Sequence, residues 1–270
     1  MKRHLLMAAA ACFAMPALAD PGFIALEGSD ATALHMDSQY TPQLFKYLQG
    51  SSSKNVLVYN PAGTIDLSSV SGGVGITNVT SLTGVTLSDY SAIYIESPGG
   101  CCAADNTALD GFGAAVTAFI AAGGNLSIEN YIGGTYDGVV PGGAAPFGAI
   151  EGYGVNNGGI GGGPGCTDGE VVTPLGIARG FTQPPIDGCW SHQAYETSYW
   201  APLGYVSLMA SSPEFTFGDG TNLGSSFLAI GGSLGQPGVP EPATWALFIG
   251  GFGAIGAAMR RRGKVAPSLG

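Results

Sequence analysis

The chain has 270 residues, only 10% of them charged, and a formal net charge of −10 at pH 7. Between Pro21 and Pro240 it contains three lysines and arginines against 17 aspartates and glutamates. Such a surface repels phosphate backbones and disfavours nucleic acid as a partner. The 45% of hydrophobic residues excludes a fully disordered chain.

The first 19 residues have the three parts of a secretory signal. Lys2-Arg3 supplies the positive charge, Leu5 to Met15 is apolar, and Ala17 and Ala19 are the small residues that signal peptidase reads. An apolar run of this length is too short to cross a bilayer. We therefore predict a signal peptide at 1–19, export through the Sec translocon, and Asp20 as the first residue after cleavage.

The next segment alternates strand and helix patterns. Phe23 to Leu26 is a short apolar run typical of a strand, and Tyr40 to Leu48 has apolar residues at helical spacing. Asn55 to Tyr59 is an uninterrupted apolar strand of the kind buried on both faces. Residues 60–88, rich in Ser, Thr, Gly and Val, predict one or two edge strands.

A βαβ unit follows. Ala92 to Glu96 predicts a second buried strand, and a helix is expected over about Thr107 to Ala122, capped by Asp105 or Asn106. Gly123-Gly124 would end the helix, and Asn125 to Asn130 predicts the next strand. This order favours parallel strands joined by a right-handed crossover.

The segments LSDYSAIYI and FIAAGGNLSIENY within residues 55–131 resemble the core of glutamine-amidotransferase-like α/β domains. The resemblance implies one α/β domain of three layers with a mostly parallel sheet, amidotransferase-like or flavodoxin-like. It does not extend to catalysis. Cys101 and Cys102 lack the Gly-x-Cys-x-Gly form of the family's nucleophile, and the chain has no His-x-Glu pair, so no catalytic residue is assigned.

Four cysteines remain once the one in the signal peptide is removed: Cys101, Cys102, Cys166 and Cys189. An even number in an exported protein predicts two disulfides. Three pairings are possible, and those joining each of the two adjacent cysteines to a distant one are favoured. A metal site is disfavoured, since the chain has no CxxC and His192 is the only nearby histidine. A Cys189–His192 thiol-imidazole pair is also disfavoured, because such pairs usually come from separate elements of the chain. We expect no metal and no cofactor.

The remainder of the body leads into the tail. Ser198 to Met209 and Phe227 to Ile230 predict the last strands. The exported domain is therefore expected to cover residues 20–232, with a linker at 233–239 and a separate tail segment at 240–264.

The tail has three parts. Pro240, Glu241 and Pro242 hold an extended, exposed tripeptide. Ala243 to Met259 carries no charge, and a helix of this length covers about 25 Å, marginal for a single transmembrane helix. A basic cluster follows, which predicts that this end stays in the cytoplasm. The cluster consists of Arg260, Arg261, Arg262 and Lys264.

This order of tripeptide, apolar helix and basic cluster resembles the PEP-CTERM sorting signal. The resemblance implies that an integral-membrane exosortase processes the tail. It also implies export through an inner-membrane intermediate to the outer surface or the extracellular matrix of a Gram-negative bacterium, where exopolysaccharide is a possible partner. Processing would leave no membrane helix in the final protein. A permanent anchor is the alternative.

We expect the body to be non-enzymatic. Two other functions stay open for it. One is a secreted hydrolase that uses strand-end carboxylates such as Glu96 or Glu129. The other is a Ca²⁺- or carbohydrate-binding module built on the oxygen-rich turns Thr167–Glu170 and Asp219–Asn222. An aromatic cluster is a candidate for sugar stacking, although core packing is the more common role of such a group: Trp190, Tyr195, Tyr199, Trp200 and Tyr205.

Overall fold

The computed structural model describes residues 21–61, 63, 65–96, 107–129, 136–140, 170–182, 195–196, 200–211 and 225–232. The chain divides into two compact units, Met1–Ser233 and Leu234–Gly270, and every described residue lies in the first. No helix within the described ranges is long and apolar enough to cross a membrane. The apolar segment at 243–259, predicted to span the bilayer, lies outside these ranges.

Five parallel strands form one half of a single sheet. They are Phe23–Glu27 (β1), Val56–Tyr59 (β2), Ile76–Val79 (β3), Ala92–Ile95 (β4) and Asn125–Glu129 (β5). Their order across the sheet is β3, β2, β4, β5, β1. Every residue of β1, β2 and β4 is buried, as expected for strands covered on both faces, whereas β3 lies partly exposed at the edge. The predicted α/β class is confirmed.

Two helices cover opposite faces of these strands. Helix α1, Tyr40–Gln49, turns Leu44, Phe45 and Leu48 inward and ends at Gly50, whose φ of 59° suits a residue without Cβ. Helix α2, Gly113–Ala121, packs on the other face, where its residues join a core cluster with alternate side chains of β4 and β5.

Helix α2 is shorter than the sequence indicated. Residues 107–112 form turns instead of helix, and Gly111 has a φ of 79° that a continuing helix does not allow. The helix instead begins at Gly113, whose backbone N–H donates to Asp137 Oδ2 at 2.8 Å. A distant carboxylate therefore serves the helix N-terminus; the expected capping residues Asp105 and Asn106 lie outside the described ranges.

Four further strands extend the sheet as an antiparallel wing; the sequence predicted strands overlapping the last two of them, but neither the first two nor the antiparallel pairing. They are Glu170–Val172 (β6), Tyr195–Glu196 (β7), Val206–Ser211 (β8) and Ser225–Gly232 (β9). Strand β9 pairs antiparallel with β1, β8 and β7, and β6 pairs with β8. A short helix α3, Pro174–Ala178, follows β6.

The expected strand from Ser198 is wrong in its first part. Ala201–Leu203 forms a single 3₁₀ turn, and Gly204 closes it with a φ of 87°. Pro202 suits the start of such a turn because its φ is already fixed and it has no N–H to leave unpaired. Strand β8 consequently begins only at Val206.

A carboxyl row at the edge of the parallel strands

Four polar side chains stand side by side where adjacent parallel strands end. Asn60 follows β2, Glu96 follows β4, Glu129 ends β5 and Glu27 ends β1. All four are buried. We call them the carboxyl row.

The strand register aligns the row. Direct neighbours in a parallel sheet point to the same face, so four aligned residues turn their side chains the same way. Glu27 pairs directly with Glu129. Tyr59 pairs with Ile95, so the residues that follow them, Asn60 and Glu96, are also aligned. Ile95 pairs with Ile128 in the same way, which aligns Glu96 with Glu129.

The row lies on the face covered by α1. Tyr94 and Ser127 precede Glu96 and Glu129 by two residues, so they share that face. Tyr94 packs against Phe45 of α1 with ring centroids 5.3 Å apart. Ser127 is fully buried, and its hydroxyl has no hydrogen-bond partner within the described part of the chain.

The two carboxyl oxygens of Glu96 differ in their hydrogen bonds. The Asn60 side-chain amide donates to Glu96 Oε2 at 2.6 Å, while Glu96 Oε1 is buried without a hydrogen-bond partner in the described ranges. Burial raises the pKa of Glu96 to about 7, although hydrogen bonds from Asn60 and the Ile65 backbone favour the charged form and oppose the rise. Glu96 therefore changes its charge near neutral pH.

Glu27 and Glu129 accept hydrogen bonds from the loop between β1 and α1. The Thr32 hydroxyl donates to Glu27 Oε1 at 2.9 Å, and the Ala33 backbone N–H donates to Glu129 Oε1 at 2.8 Å. Burial raises the pKa of Glu27 well above its usual value, and the nearby charge of Glu129 raises it further. The loop thus closes over two neighbouring carboxyl groups.

The same loop carries a contact between a histidine and an aspartate side chain. His35 Nε2 lies 3.3 Å from Asp30 Oδ1, and the Asp30 carbonyl accepts hydrogen bonds from the backbone N–H groups of Leu34 and His35. Met36 adopts a left-handed φ of 48°, uncommon for a residue with a side chain. The loop is therefore tightly turned and has a histidine–aspartate contact of its own.

The row coincides with a change in chain direction. After β2 the chain proceeds to β3 on one side, and after β4 it proceeds to β5 on the other side. Ligands of open α/β sheets bind outside the carboxyl ends of the strands at such a point. Asn60 and Glu96 flank it.

Positive charge is scarce around the row. In the described ranges no three His, Cys, Asp or Glu side chains are arranged to hold a metal ion. Lys54 donates to the Ser88 carbonyl, Lys46 is exposed in the last turn of α1, and Arg179 interacts with Tyr47.

The sequence identified only part of this site. It singled out Glu96 and Glu129 as candidate hydrolase carboxylates, and the structure places them on adjacent strands, but Glu27 and Asn60 were missed. A repeated pattern contained the signal: three apolar strands each end on a glutamate, as Leu26-Glu27, Ile95-Glu96 and Ile128-Glu129.

Three residues of the aromatic cluster lie in the core, and the other two lie outside the described ranges. Trp200 is 2% exposed and packs edge-on against Tyr195 and Tyr205, at centroid distances of 6.1 Å and 4.8 Å. These three residues therefore serve core packing and present no face to a sugar. Trp190 and Tyr199 lie outside the described ranges.

Most other predicted site residues also lie outside the described ranges. They are the signal cleavage residues Ala17, Ala19 and Asp20, the cysteines Cys101, Cys102, Cys166 and Cys189, His192, the turns at 167–169 and 219–222, the tripeptide Pro240, Glu241 and Pro242, and the basic cluster Arg260, Arg261, Arg262 and Lys264. Their predicted roles, including the disulfides, stay predictions.

Comparison with known families identifies the tail. A family model described as the PEP-CTERM protein-sorting motif matches residues 238–262. The chain thus carries the sorting motif of exported exosortase substrates, as its order of proline-flanked glutamate, apolar segment and arginines predicted. No curated protein and no solved structure matches the chain, so the amidotransferase-like resemblance of the body stays a prediction.

Proposed function

We propose that this protein is a non-enzymatic component of the bacterial cell surface or extracellular matrix, released there after an exosortase processes its tail. The observation that carries the proposal is the sorting motif at 238–262. The motif supports export and exosortase sorting. The body's low content of charged residues, with only three basic ones between Pro21 and Pro240, suits a protein whose surroundings are water and neutral polysaccharide.

The composition of the tail favours release over permanent anchoring. The uncharged stretch is short for a bilayer core about 30 Å thick, and it contains Gly250, Gly251, Gly253 and Gly256, which weaken a helix. A marginal span suits a brief hold in the inner membrane before processing. The extended Pro240-Glu241-Pro242 peptide offers the processing enzyme an accessible strand.

The competing function for the body is hydrolysis by Glu96 and Glu129. Their place at the ends of adjacent parallel strands favours it. Their burial weighs against it for polymers, because neither carboxyl group has exposed surface for a long chain to reach. We therefore favour a binding or structural role.

Fractionation tests the sorting proposal. Replacing Pro240, Glu241 and Pro242 together by alanine leaves export intact and should accumulate full-length protein in the inner membrane, while the unchanged chain appears at the surface or in the medium, shortened near residue 242. The unchanged chain in cells lacking exosortase is the matched control and should behave like the variant. An intact tail in the inner membrane at steady state, in cells that have exosortase, would establish a permanent anchor instead.

A second measurement tests the absence of enzymatic activity. The purified body is assayed against the polysaccharide of its own matrix and against soluble ester and glycoside substrates. Turnover that disappears in both Glu96→Gln and Glu129→Gln, with unfolding midpoints unchanged, would replace our proposal with a hydrolase. Pull-down on the same polysaccharide without turnover would support a matrix role.

A further inference from the structure

One edge of the sheet has backbone hydrogen-bonding groups that point away from the fold. Strand β3 is the last strand at that edge, and among the described strands it pairs with β2 alone. The Gly75 and Val79 carbonyls accept hydrogen bonds from the β2 segment of the chain. Backbone groups alternate in direction along a strand, so the N–H and C=O groups of Ile76 and Asn78 point outward. The Asn78 side chain is exposed as well.

This edge lacks the features with which proteins usually protect an unpaired strand, namely charged side chains, prolines and bulges. The segment from Leu67 to Ser88 contains no charged residue and no proline. The four residues of β3 pair one to one with those of β2, without a bulge. An edge of this kind is a template on which a further strand can form backbone hydrogen bonds.

The charge of the body indicates which partner supplies that strand. Between Pro21 and Pro240 the chain has three basic residues against 17 acidic ones. Two such bodies repel each other over most of their surfaces, so they approach most easily through an uncharged segment. A basic partner, in contrast, would be attracted to the acidic surfaces and not to this edge. The uncharged edge therefore fits a second copy of the chain.

We propose that two copies of the protein associate through antiparallel pairing of their β3 strands, which joins the two sheets into one. With Thr77 on the two-fold axis, Ile76 of each copy lies opposite the partner's Asn78. Both residues have outward backbone groups, so each such pair exchanges two hydrogen bonds. The two Thr77 side chains then face each other, an arrangement that is favourable for threonine pairs. The Thr77 hydroxyl accepts from Asn55 Nδ2 at 3.1 Å, so its own proton can be donated across the axis.

The pairing is weak and reversible because it buries little surface. Strand β3 has four residues, and two strands of this length contribute less than the roughly 1,200 Å² of a stable interface. The dimer therefore forms where the chain is concentrated, as in a surface layer or matrix. That setting rests on the proposed function, whereas the pairing itself does not involve the tail.

Sedimentation equilibrium of the full chain in density-matched mild detergent tests the proposal, and we expect a monomer that becomes a dimer as its concentration rises. Thr77→Lys places two lysines opposite each other at the axis. Asn78→Pro removes an outward N–H that β2 does not use, a change that edge strands tolerate. Each variant should raise the dissociation constant of the dimer at least tenfold. Thr117→Lys, which adds the same charge at an exposed position of α2, is the control and should leave the constant unchanged.

A mixture of two variants tests the register of the pairing. Thr77→Asp alone should be monomeric, but in equal amounts with Thr77→Lys it should form a dimer, because opposite charges then meet at the axis. Thermal unfolding verifies that each variant folds, and Asn78→Pro keeps the backbone hydrogen bonds to β2 if the variants at Thr77 lose stability. A chain that stays monomeric at about 1 mM, a dimer that persists in both Thr77→Lys and Asn78→Pro, or a mixture that stays monomeric would each overturn the proposal.

Discussion

Asn60 and Glu96 stand at the ends of neighbouring strands, and the amide of one donates a 2.6 Å hydrogen bond to the carboxyl group of the other. The contact is buried and joins residues 36 positions apart. It fixes one oxygen of Glu96 and leaves the second directed away from Asn60. A group whose charge changes near neutral pH is therefore held in a defined orientation.

Stability should fall as the pH rises from about 4.5 to about 7. Burial raises the pKa of Glu96 from 4.5 to about 7, so in this window the folded chain retains a proton that the unfolded chain has released. The free energy of unfolding decreases by at most about 3 kcal/mol across the window and is constant beyond it for this group. Urea unfolding followed by fluorescence between pH 4 and 8.5 measures the slope.

Glu96→Gln should flatten that slope and raise stability at pH 8. A shallower slope of the same sign should remain, because the pKa of Glu27 is also raised by burial. Asp89→Asn, at an exposed carboxylate, is the control and should keep the full slope. Identical pH profiles for Glu96→Gln and the unchanged protein would show that the pKa of Glu96 is the same in the folded and unfolded chain.

Asn60→Ala should raise the pKa of Glu96 above 7. The Asn60 amide stabilises the charged carboxylate, and the substitution removes this donor from Glu96 Oε2. We expect a loss of about 1–3 kcal/mol in stability at pH 8 and a smaller loss at pH 5, where the carboxyl group is neutral. Carbon-detected NMR titration of the Glu96 carboxyl measures the pKa, and an unchanged value would contradict the prediction.

Asp137 should stabilise α2 through its contact with the Gly113 N–H. Asp137 has a left-handed φ of 56°, so Asp137→Gly removes the side chain without backbone strain and isolates the capping effect. We expect a loss of about 1 kcal/mol in the free energy of unfolding. Asp137→Asn keeps an oxygen acceptor, so its free energy of unfolding should stay close to that of the unchanged protein. A loss of stability as large as that of Asp137→Gly would show that the charge of Asp137, and not its hydrogen bond, stabilises the helix.

Trp200→Ala should destabilise the body without altering sugar binding. The indole is 2% exposed between two tyrosine rings, and truncating such a side chain typically costs about 3–5 kcal/mol. Leu203→Ala, at a side chain 40% exposed in the adjacent turn, should cost less than about 0.5 kcal/mol. A stable Trp200→Ala protein that loses polysaccharide binding would return this residue to a stacking role.

Mass mapping of the oxidised body tests the cysteine prediction. We expect Cys101 and Cys102 to be linked to Cys166 and Cys189, in either order, because export takes the chain into an oxidising compartment. Reduction should then lower the unfolding temperature. Free thiols at Cys101 and Cys102 would contradict the prediction and reopen a nucleophilic role for them.

The parallel half of the fold was predictable because its strands are buried on both faces. Uninterrupted runs such as Val56–Tyr59 and Ala92–Ile95 contain little else than apolar residues, and such runs indicate parallel strands between helices. The antiparallel wing was not predictable in the same way. Pairing β9 with β1 is a contact over some 200 residues, and local sequence patterns contain no information about such a partner.

The carboxyl row was half predictable for a related reason. A glutamate after an apolar strand marks the sheet edge, which is why Glu96 and Glu129 were identified. Their adjacency depends on strand order, and so does the inclusion of Glu27 from β1, which lies beside β5 although the two are about 100 residues apart. Side-chain burial, which sets the pKa of Glu96, also depends on the assembled fold.

The position of β9 links folding to the end of export. This strand fills a central place in the sheet, between β1 and β8, yet it ends only a few residues before the sorting motif begins at 238. We therefore expect the complete sheet to form only after nearly the whole body has been exported. For export through the Sec translocon, which the signal peptide predicts, the final strand becomes free to pair only after the rest of the body.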